Sequence, residues 1–456
     1  MSSTAIDRPT SSMPRVVLSK LFLCSLLGIV FFLVPMHYDD KWTILMGIIT
    51  DLISAGIGDN MALFTLPLFI VSAGISLVYY LLPHRLAMRL PYARHLIASH
   101  WSWVVLSTIG GLVATLLALG VGPDWIIGKD TGVTAYIDVA GAIYLIIGLG
   151  CLFLPFLTDY GLLDFVGTLM RPYYRRLFNL PGRSTVDTLA SWVGSSSIAV
   201  LMTSYQYERG YYTARESAVL ATSFSVVSLP FVLLTSQVAG LPNHFFQLYG
   251  AMVFICILCA IVVPKLPPLK HIPDEYYPPA GKQLFEEAEG DHSPLTWACK
   301  KSYEVASHSP SPMLAFKKGF GSMLDIFIMM MPAAMTIEFL ALVVYYHTPV
   351  FQILSYPFIF ALEAMQVPEA RAAAPGMIIG LLDQFVPAII AGSRDSQLTR
   401  FVLAGLSVTQ LIFFAETALL IMRSKIPLSV KQLVAIFFIR TLIALPILVA
   451  IAHWLF

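Results

Sequence analysis

Two short apolar segments contain polar side chains that could bind a solute or an ion. The segment 376–392 contains Asp383 and Gln384, and Pro387 interrupts its helix just after them. Because a carboxylate inside an apolar layer is costly unless it faces a cavity or a partner, we expect Asp383 to contact a solute, a cation or a proton. The alternative is a buried Asp that caps the start of a helix.

The segment 184–205 is rich in Ser and Thr. Gly194 and the following Ser195, Ser196 and Ser197 are expected to form its turn or unwound tip. Hydroxyl groups and free backbone amides at such a tip could bind polar groups of a solute. Small residues also allow helices to pack closely, and both interpretations stay open.

Three further charged residues lie in apolar stretches of the second half. Glu416 and Arg440 are on consecutive antiparallel segments. Their depths differ by roughly 6 Å at 1.5 Å per residue, so the sequence favours a structural ion pair between them. The alternative is that Glu416, like Asp383, contacts a coupling ion. Glu338 is another acid in an apolar stretch, and the sequence indicates no partner for it.

The composition indicates what surrounds these residues. The chain has 456 residues, of which 57% are hydrophobic and 12% are charged, and its net charge is +1. Soluble domains contain roughly 25% charged residues. The low share of charged residues excludes a cytosolic enzyme and a disordered chain. The net charge excludes a nucleic-acid-binding protein, because no net basic field attracts phosphate. We therefore predict an all-α polytopic protein embedded in a lipid bilayer.

About nine segments are long and apolar enough to span the bilayer. They are 16–35, 61–82, 101–120, 136–157, 217–237, 247–264, 319–345, 401–422 and 430–452. The shorter segments 184–205 and 376–392 are predicted to enter the membrane and leave on the same side, as re-entrant hairpins. We interpret the first span as retained rather than as a cleaved signal peptide.

The distribution of basic residues predicts the orientation. With the N-terminus inside, most of the 28 Lys and Arg residues fall in cytoplasmic segments, as the positive-inside rule requires. This result depends on the two hairpins not crossing the bilayer. The prediction is a multi-pass protein of the bacterial inner membrane, with its N-terminus in the cytoplasm and its C-terminus outside.

One order of unlike segments occurs twice along the chain. Each half has a span, an amphipathic piece, a short hairpin segment, a polar link and two spans, and the halves run in opposite directions. Inverted repeats with interrupted helices recur in transporters. We therefore predict N-terminal helices over 1–135, a first repeat over 136–264, a charged cytoplasmic linker over 265–318 and an inverted second repeat over 319–456.

The motifs of the common catalytic and metal sites do not occur in the sequence. HExxH, GxSxG and P-loop sequences are missing, and Cys256 and Cys259 lie in an apolar run, where we interpret them as small apolar fillers. The sequence therefore predicts no enzyme, no cofactor and no bound metal. A membrane enzyme whose residues come from distant helices is the less favoured alternative.

The repeat and its motifs resemble the nucleoside-recognition "Gate" domain. The run Gly148 to Gly240 contains GSSSIAVLMTSYQYERGYYTARESAVLATSFS, and the whole chain looks like a YjiH-type membrane protein with two such halves. The second half, with VPAIIAGSRDSQLTRFVLAGLSVTQ, is similar to the Gate segments of ferrous-iron transporters and spore-maturation membrane proteins. The resemblance covers roughly residues 136–452.

The resemblance implies a re-entrant hairpin followed by a broken helix in each half, as in concentrative nucleoside transporters. In that family the hairpin tips and the following helices hold the solute. Carried over to this chain, the contacts are Ser195, Ser196, Ser197, Asp383 and Gln384 at the tips, and Thr222, Ser225, Ser407, Thr409 and Gln410 on the helices. Neither tip nor following helix has a Cys, which argues against iron as the solute.

Together these features predict a secondary-type carrier for a polar small solute, nucleoside-like or another metabolite, bound at paired hairpin tips. Sodium or a proton is the expected coupling cation, at Asp383 or Glu416. The alternative is an accessory or assembly membrane protein that acts with a partner and transports nothing by itself. The N-terminal spans are expected to brace the repeat or to contact a second copy in a homodimer.

Overall fold

The structure, a computed structural model, describes residues 15–39, 41–81, 101–182, 184–193, 196–282 and 293–456. Within these ranges the chain is almost entirely helical, and its strands form one antiparallel pair. Six helices of this part are long and apolar enough to cross a membrane, and two shorter apolar helices cover Val17–Phe32 and Val104–Leu119. The predicted all-α membrane fold is confirmed, while the number of nine crossings stays a prediction.

The N-terminal part consists of apolar helices and a short β-hairpin. Its elements are α1 (Arg15–Phe32), β1 (Pro35–Tyr38), β2 (Lys41–Ile44), α2 (Leu45–Ile57), α3 (Met61–Leu81) and α4 (Trp101–Leu119). In the hairpin Pro35 pairs with Ile44 and Tyr38 with Lys41. Helices α3 and α4 pack along each other, and a side chain at Gly111 would clash with Ala73.

The first repeat continues from a one-turn helix into a series of mostly short helices. They are α5 (Asp124–Ile127), a π-helical segment (Lys129–Val139), α6 (Ala140–Thr158), α7 (Leu162–Phe178), α8 (Ser184–Val193), α9 (Ser196–Glu208), α10 (Ala214–Val219), a π-helical turn (Leu220–Phe224), α11 (Leu229–Val238) and α12 (Phe245–Val262). The sequence of α7 is amphipathic, as predicted, with Arg175 and Arg176 in its last turn.

One helix of the predicted linker, α13 (Pro294–His308), precedes the second repeat and packs on α7. The second repeat contains α14 (Pro312–Asp325), a π-helical turn (Ile326–Met330), α15 (Met331–His347), α16 (Val350–Leu354), α17 (Tyr356–Ala364), α18 (Ala370–Ile379), α19 (Val386–Gly392), α20 (Gln397–Thr409), α21 (Thr417–Arg423) and α22 (Val430–Leu455). Because α14 begins at Pro312, the predicted domain boundary at 318/319 lies inside a helix.

Both halves contain the same order of elements. A long helix is followed by amphipathic helices, a pair of short helices, an interrupted helix and a final long helix. We call α18, α19 and the turn between them the second hairpin, and α8 and α9 the helices of the first hairpin. The turn of the first hairpin, 194–195, lies outside the described residues.

Two of the predicted spans are interrupted helices, although Ala214–Val238, which contains the first of them, is long and apolar enough to cross a membrane. The span 217–237 has no helix at 225–228, and Pro230 in the first turn of α11 explains this, since a proline inside a continuous helix lacks the N–H for one hydrogen bond and its ring clashes with the preceding turn. The span 401–422 is interrupted between α20 and α21, where Leu411 has a φ of 60°. The broken helices that the Gate resemblance implied are therefore present in both halves.

One large hydrophobic core extends through both repeats and the N-terminal helices, and a small second cluster contains Cys24, Phe156, Tyr160 and Ala315. Helix α14 packs on α6, and α20 packs on α22. Tyr136, in the first π-helical segment, bonds through its hydroxyl group to Thr336 of α15 at 2.9 Å. The two repeats are thus joined by direct packing, and the cavity described next lies between them.

Candidate functional site

A cavity of about 500 Å³ lies between the two repeats. Its walls come from α6, α15, α11 and the tip of the second hairpin, and both helix interruptions contribute residues to it. Val227 and Ser228 line it from the first interruption, and Phe413, Ala415 and Glu416 from the second. A volume of this size is in the range of small-molecule sites, about 300–1,000 Å³.

One end of the cavity carries an ion pair between the repeats. Lys318 of α14 and Asp159, directly after α6, line it, and their Nζ and Oδ2 atoms lie 2.6 Å apart. The Lys318 side chain is 63% exposed, so this end is close to solvent and water screens the pair. We call this end the mouth and the end at Asp383 the closed end.

The tip of the second hairpin forms the closed end. Asp383 and Gln384 lie in the turn between α18 and α19, and they are only 6% and 7% exposed. One carboxylate oxygen of Asp383 accepts a hydrogen bond from the backbone N–H of Phe385 at 2.7 Å. This bond orders the turn just before α19, whose N-cap residue is Phe385, and Asp383 also lines the cavity.

The second helix interruption holds this tip in place through the backbone. The N–H groups of Phe414 and Ala415 donate to the carbonyl oxygens of Leu381 and Leu382 at 2.8 and 2.9 Å. In addition, the hydroxyl group of Ser407 donates to the carbonyl oxygen of Gln384. Backbone groups that leave the helix find partners in the hairpin, which is how an interrupted helix is tolerated inside an apolar core.

The base of the second hairpin is closed by Glu369. Its carboxylate accepts from the backbone N–H groups of Asp395 and Ser396 at 3.1 and 2.9 Å, and it lies 3.7 Å from the guanidinium of Arg394. The link 393–396 after α19 is thereby bound to the residue before α18. The hairpin is consequently fixed both at its base and at its tip.

Arg440 does not form the ion pair with Glu416 that the sequence suggested. It is fully buried, and among the described residues its guanidinium donates to the carbonyl oxygens of Thr409, at 2.7 and 3.1 Å, of Gln410 at 3.1 Å and of Thr222 at 3.4 Å. These carbonyls lie near both helix interruptions, where intrahelical partners are lost. Arg440 therefore binds the two broken helices together.

Glu338 is an acid in an apolar stretch that was not among the predicted contact residues. It lies on α15, it is 0% exposed, and neither carboxylate oxygen has a hydrogen-bond partner in the part of the chain that the structure describes. It lines the cavity and is close enough to Asp383 for the two carboxyl groups to interact electrostatically. The sequence showed only that Glu338 is an acid in an apolar stretch. Its proximity to Asp383 depends on the tertiary fold and could not be predicted from the sequence.

The structure brings only some of the predicted contact residues to the cavity. Asp383, Gln384 and Glu416 line it. The others lie behind its wall or outside the description. Thr222, Ser225, Ser407, Thr409 and Gln410 are buried but are not in the lining, and the hydroxyl groups of Thr222 and Thr409 donate to carbonyls of their own helices. Ser195 lies outside the described residues, and Ser196 and Ser197 begin α9 with side chains that are not described.

Gln410 has a structural role. Its amide nitrogen donates to the carbonyl oxygen of Met377 at 3.0 Å and to the hydroxyl group of Thr441 at 2.9 Å. It therefore links the second interruption to both α18 and α22.

The described residues contain no group of three His, Cys, Asp or Glu side chains that could hold a metal ion. Cys256 and Cys259 are buried on α12, and the sulfur of Cys256 lies 3.7 Å from a guanidinium nitrogen of Arg440. The cavity instead presents carboxyl groups, an amide and aromatic rings. Such a lining can bind a small molecule through charge, hydrogen bonds and apolar contact.

Comparisons with known proteins place the chain in a family. The family model for nucleoside recognition (Gate) matches residues 142–241. The uncharacterized protein BpOF4_10220 of Alkalihalophilus pseudofirmus is 38% identical over 437 residues, which cover 96% of this chain and 94% of that protein.

Two solved structures are similar over most of the chain. One is CNTnw with two substitutions in an outward-facing state, with 14% identity, a TM-score of 0.40, and coverage of 97% of this chain and 100% of that one. The other is CNTnw in an inward-facing substrate-bound state, with 16% identity, a TM-score of 0.39, and coverage of 96% and 97%. This chain belongs to the nucleoside-recognition (Gate) domain family, as a multi-pass membrane protein of the YjiH type.

Proposed function

We propose that the protein is a secondary-type carrier that binds a polar small solute, nucleoside-like or another metabolite, in the cavity between its two repeats. The observation that carries this proposal is the lining itself, because both helix interruptions and the tip of the second hairpin face one cavity. Interrupted helices around a central solute site are the common plan of carriers built from inverted repeats. The nucleoside-recognition match supports a membrane transporter.

The arrangement suggests how solute access could alternate. The mouth between Lys318 and Asp159 lies at the ends of α14 and α6 that the basic-residue distribution predicts to be cytoplasmic. The closed end is sealed by the second hairpin, whose base and tip are fixed by hydrogen bonds. A movement of one repeat against the other would close the mouth and open the opposite side.

A coupling cation, sodium or a proton, is part of the proposal. Asp383 and Glu416 are its proposed contacts, since both residues line the cavity. We propose transport rather than catalysis, with no cofactor. The bacterial inner membrane, an N-terminus in the cytoplasm and a C-terminus outside remain the predicted location.

The test is the substitution Asp383→Asn in purified protein reconstituted into vesicles, with uptake measured for nucleosides, amino acids and organic acids. Asn keeps an oxygen that can accept from the Phe385 N–H, so we expect the melting temperature to change little while uptake falls at least tenfold. Asp395→Asn, at an exposed position in the link after the same hairpin, is the matched control.

Full uptake by the Asp383→Asn variant would reject Asp383 as a site residue. Absence of uptake by the wild-type protein, together with a protein that copurifies with it, would favour the accessory role.

A further inference from the structure

The lining of the cavity has a strong excess of acidic groups. Five carboxyl side chains and one amine line it within the described residues. The amine belongs to Lys318, which is paired with Asp159 at the mouth. At the closed end the carboxyl groups of Glu338 and Asp383 line the cavity without a basic side chain of the lining beside them, an arrangement that favours a cationic over an anionic solute.

Two side chains of the lining also have oxygen atoms without a hydrogen-bond partner in the described chain, Glu338 and Gln384. Both carboxylate oxygens of Glu338 are without such a partner there, although the side chain is fully buried. Gln384 is 7% exposed, and its amide oxygen also has no hydrogen-bond partner in the described chain. Buried acceptors cost free energy until a donor or a cation reaches them. Since Glu338 and Gln384 both line the cavity, a group that brings positive charge and N–H donors would satisfy these acceptors.

The remaining walls are apolar and aromatic. Phe231 of α11 and Phe385 of the hairpin tip come from opposite repeats, and their ring centroids lie 5.4 Å apart in an edge-to-face arrangement. Met331 and Met335 of α15 and Ile147 of α6 line the cavity as well. Aromatic faces attract cations, and apolar walls favour burial of a hydrocarbon body.

We propose that the cavity binds an organic ammonium solute, with its positive group at Glu338 and Asp383 and its apolar body between Phe231, Phe385 and the methionines. This inference rests on the proposed function, because it names the solute class of the same cavity. Glu338 is then a binding residue in addition to those that the hairpin tips provide.

The experiment compares three probes of nearly equal size and different charge at pH 7. They are 2-phenylethylammonium, neutral 2-phenylethanol and anionic 3-phenylpropanoate, each titrated against the melting temperature of the detergent-purified full chain. A ligand that binds only the folded state raises this temperature by mass action. We expect a saturable rise with the ammonium and little with the alcohol or the carboxylate.

Variants locate the effect. Glu338→Gln, which keeps the size of the side chain, should weaken binding of the ammonium at least tenfold. Glu363→Gln, at an exposed acid of α17 that does not line the cavity, should leave it unchanged. If Glu338→Gln does not fold, the comparison of the ammonium with the alcohol on the wild-type protein still decides the question of charge.

The outcomes separate this inference from the carrier proposal. An equal effect of alcohol and ammonium, no effect of the ammonium on a cooperatively unfolding sample, or unchanged binding in Glu338→Gln would overturn the ammonium solute. Uridine binding that depends on Asp383 but not on Glu338 would overturn it and leave the carrier in place. Ammonium binding that depends on Glu338, without uptake into vesicles, would support the inference and reject the carrier.

Discussion

Two buried charged residues, Arg440 and Glu338, are accommodated in opposite ways. The Arg440 guanidinium has carbonyl oxygens from two broken helices around it. Glu338 has no hydrogen-bond partner within the described chain and lines a cavity. A buried ionisable group surrounded by hydrogen-bond partners has a structural role, whereas one without such partners at a cavity is a candidate contact for a ligand.

At the residue scale, we expect Arg440→Met to destabilise the protein strongly. The substitution removes the guanidinium donor from three buried carbonyl oxygens, of which only that of Gln410 keeps a backbone partner among the described residues, the N–H of Ile412. Each buried carbonyl left without a donor costs about 1–3 kcal/mol. The measurement is the melting temperature in detergent. Lys425→Met, at an exposed position of the same half, is the control and should shift it little. Equal effects of the two substitutions would show that the carbonyl contacts are not what stabilises the interrupted helices.

At the scale of elements, the second hairpin is the part whose position matters most for the cavity. Its base is bound by Glu369 and its tip by the backbone of 414–415. The end of α19 also packs directly against the first repeat, since Gly392 lies against the carbonyl group of Val238. Because Gly392 contacts backbone atoms, no flexible side chain could move aside to make room for a larger residue.

We therefore expect Gly392→Ala to destabilise the protein by about 1–3 kcal/mol, the usual cost of overpacking. The new methyl group would overlap the Val238 carbonyl and move the hairpin away from α11. Gly250→Ala on α12 is the matched control, because no atom of the described residues outside its own helix lies within 4 Å of the added carbon, and alanine favours helix over glycine by up to about 1 kcal/mol. Thermal unfolding of both variants measures the difference. A neutral Gly392→Ala would mean that this contact does not position the hairpin.

At the scale of the whole molecule, the two repeats form one unit in this conformation, joined by direct contacts beside the cavity. Tyr136 and Thr336 bond across them, and Arg440 joins the interrupted helix of the first repeat to that of the second. The orientation of this unit in the membrane depends on the predicted cytoplasmic position of α13 and the rest of the linker.

The orientation in the membrane can be measured with the cysteines that the chain already has. Cys299 on α13 is exposed, whereas Cys24, Cys151, Cys256 and Cys259 are buried. A membrane-impermeant maleimide should therefore label the protein in inverted membrane vesicles and not in intact cells. Cys299→Ser should remove the labelling. Labelling of intact cells at Cys299 would reverse the predicted topology.

The sequence supplied the class of the protein and the order of its elements. A low share of charged residues and long apolar runs are sufficient to predict a helical membrane fold, because each span must satisfy its backbone groups internally. The repeated order of segments and the Gate motif indicated the hairpins and the broken helices. Asp383 was identified as a candidate because its charge is unusual in an apolar segment, and it does line the cavity.

The tertiary structure decided what surrounds these residues. Pro230 marks the first interruption in the sequence, but no proline marks the second, which exists because Arg440 and the hairpin backbone supply the lost hydrogen bonds. Hydropathy and periodicity are local properties, whereas the bond from Arg440 to Thr222 spans 218 residues. For the same reason only the folded chain brings Glu338 next to Asp383 and encloses a cavity between the two repeats.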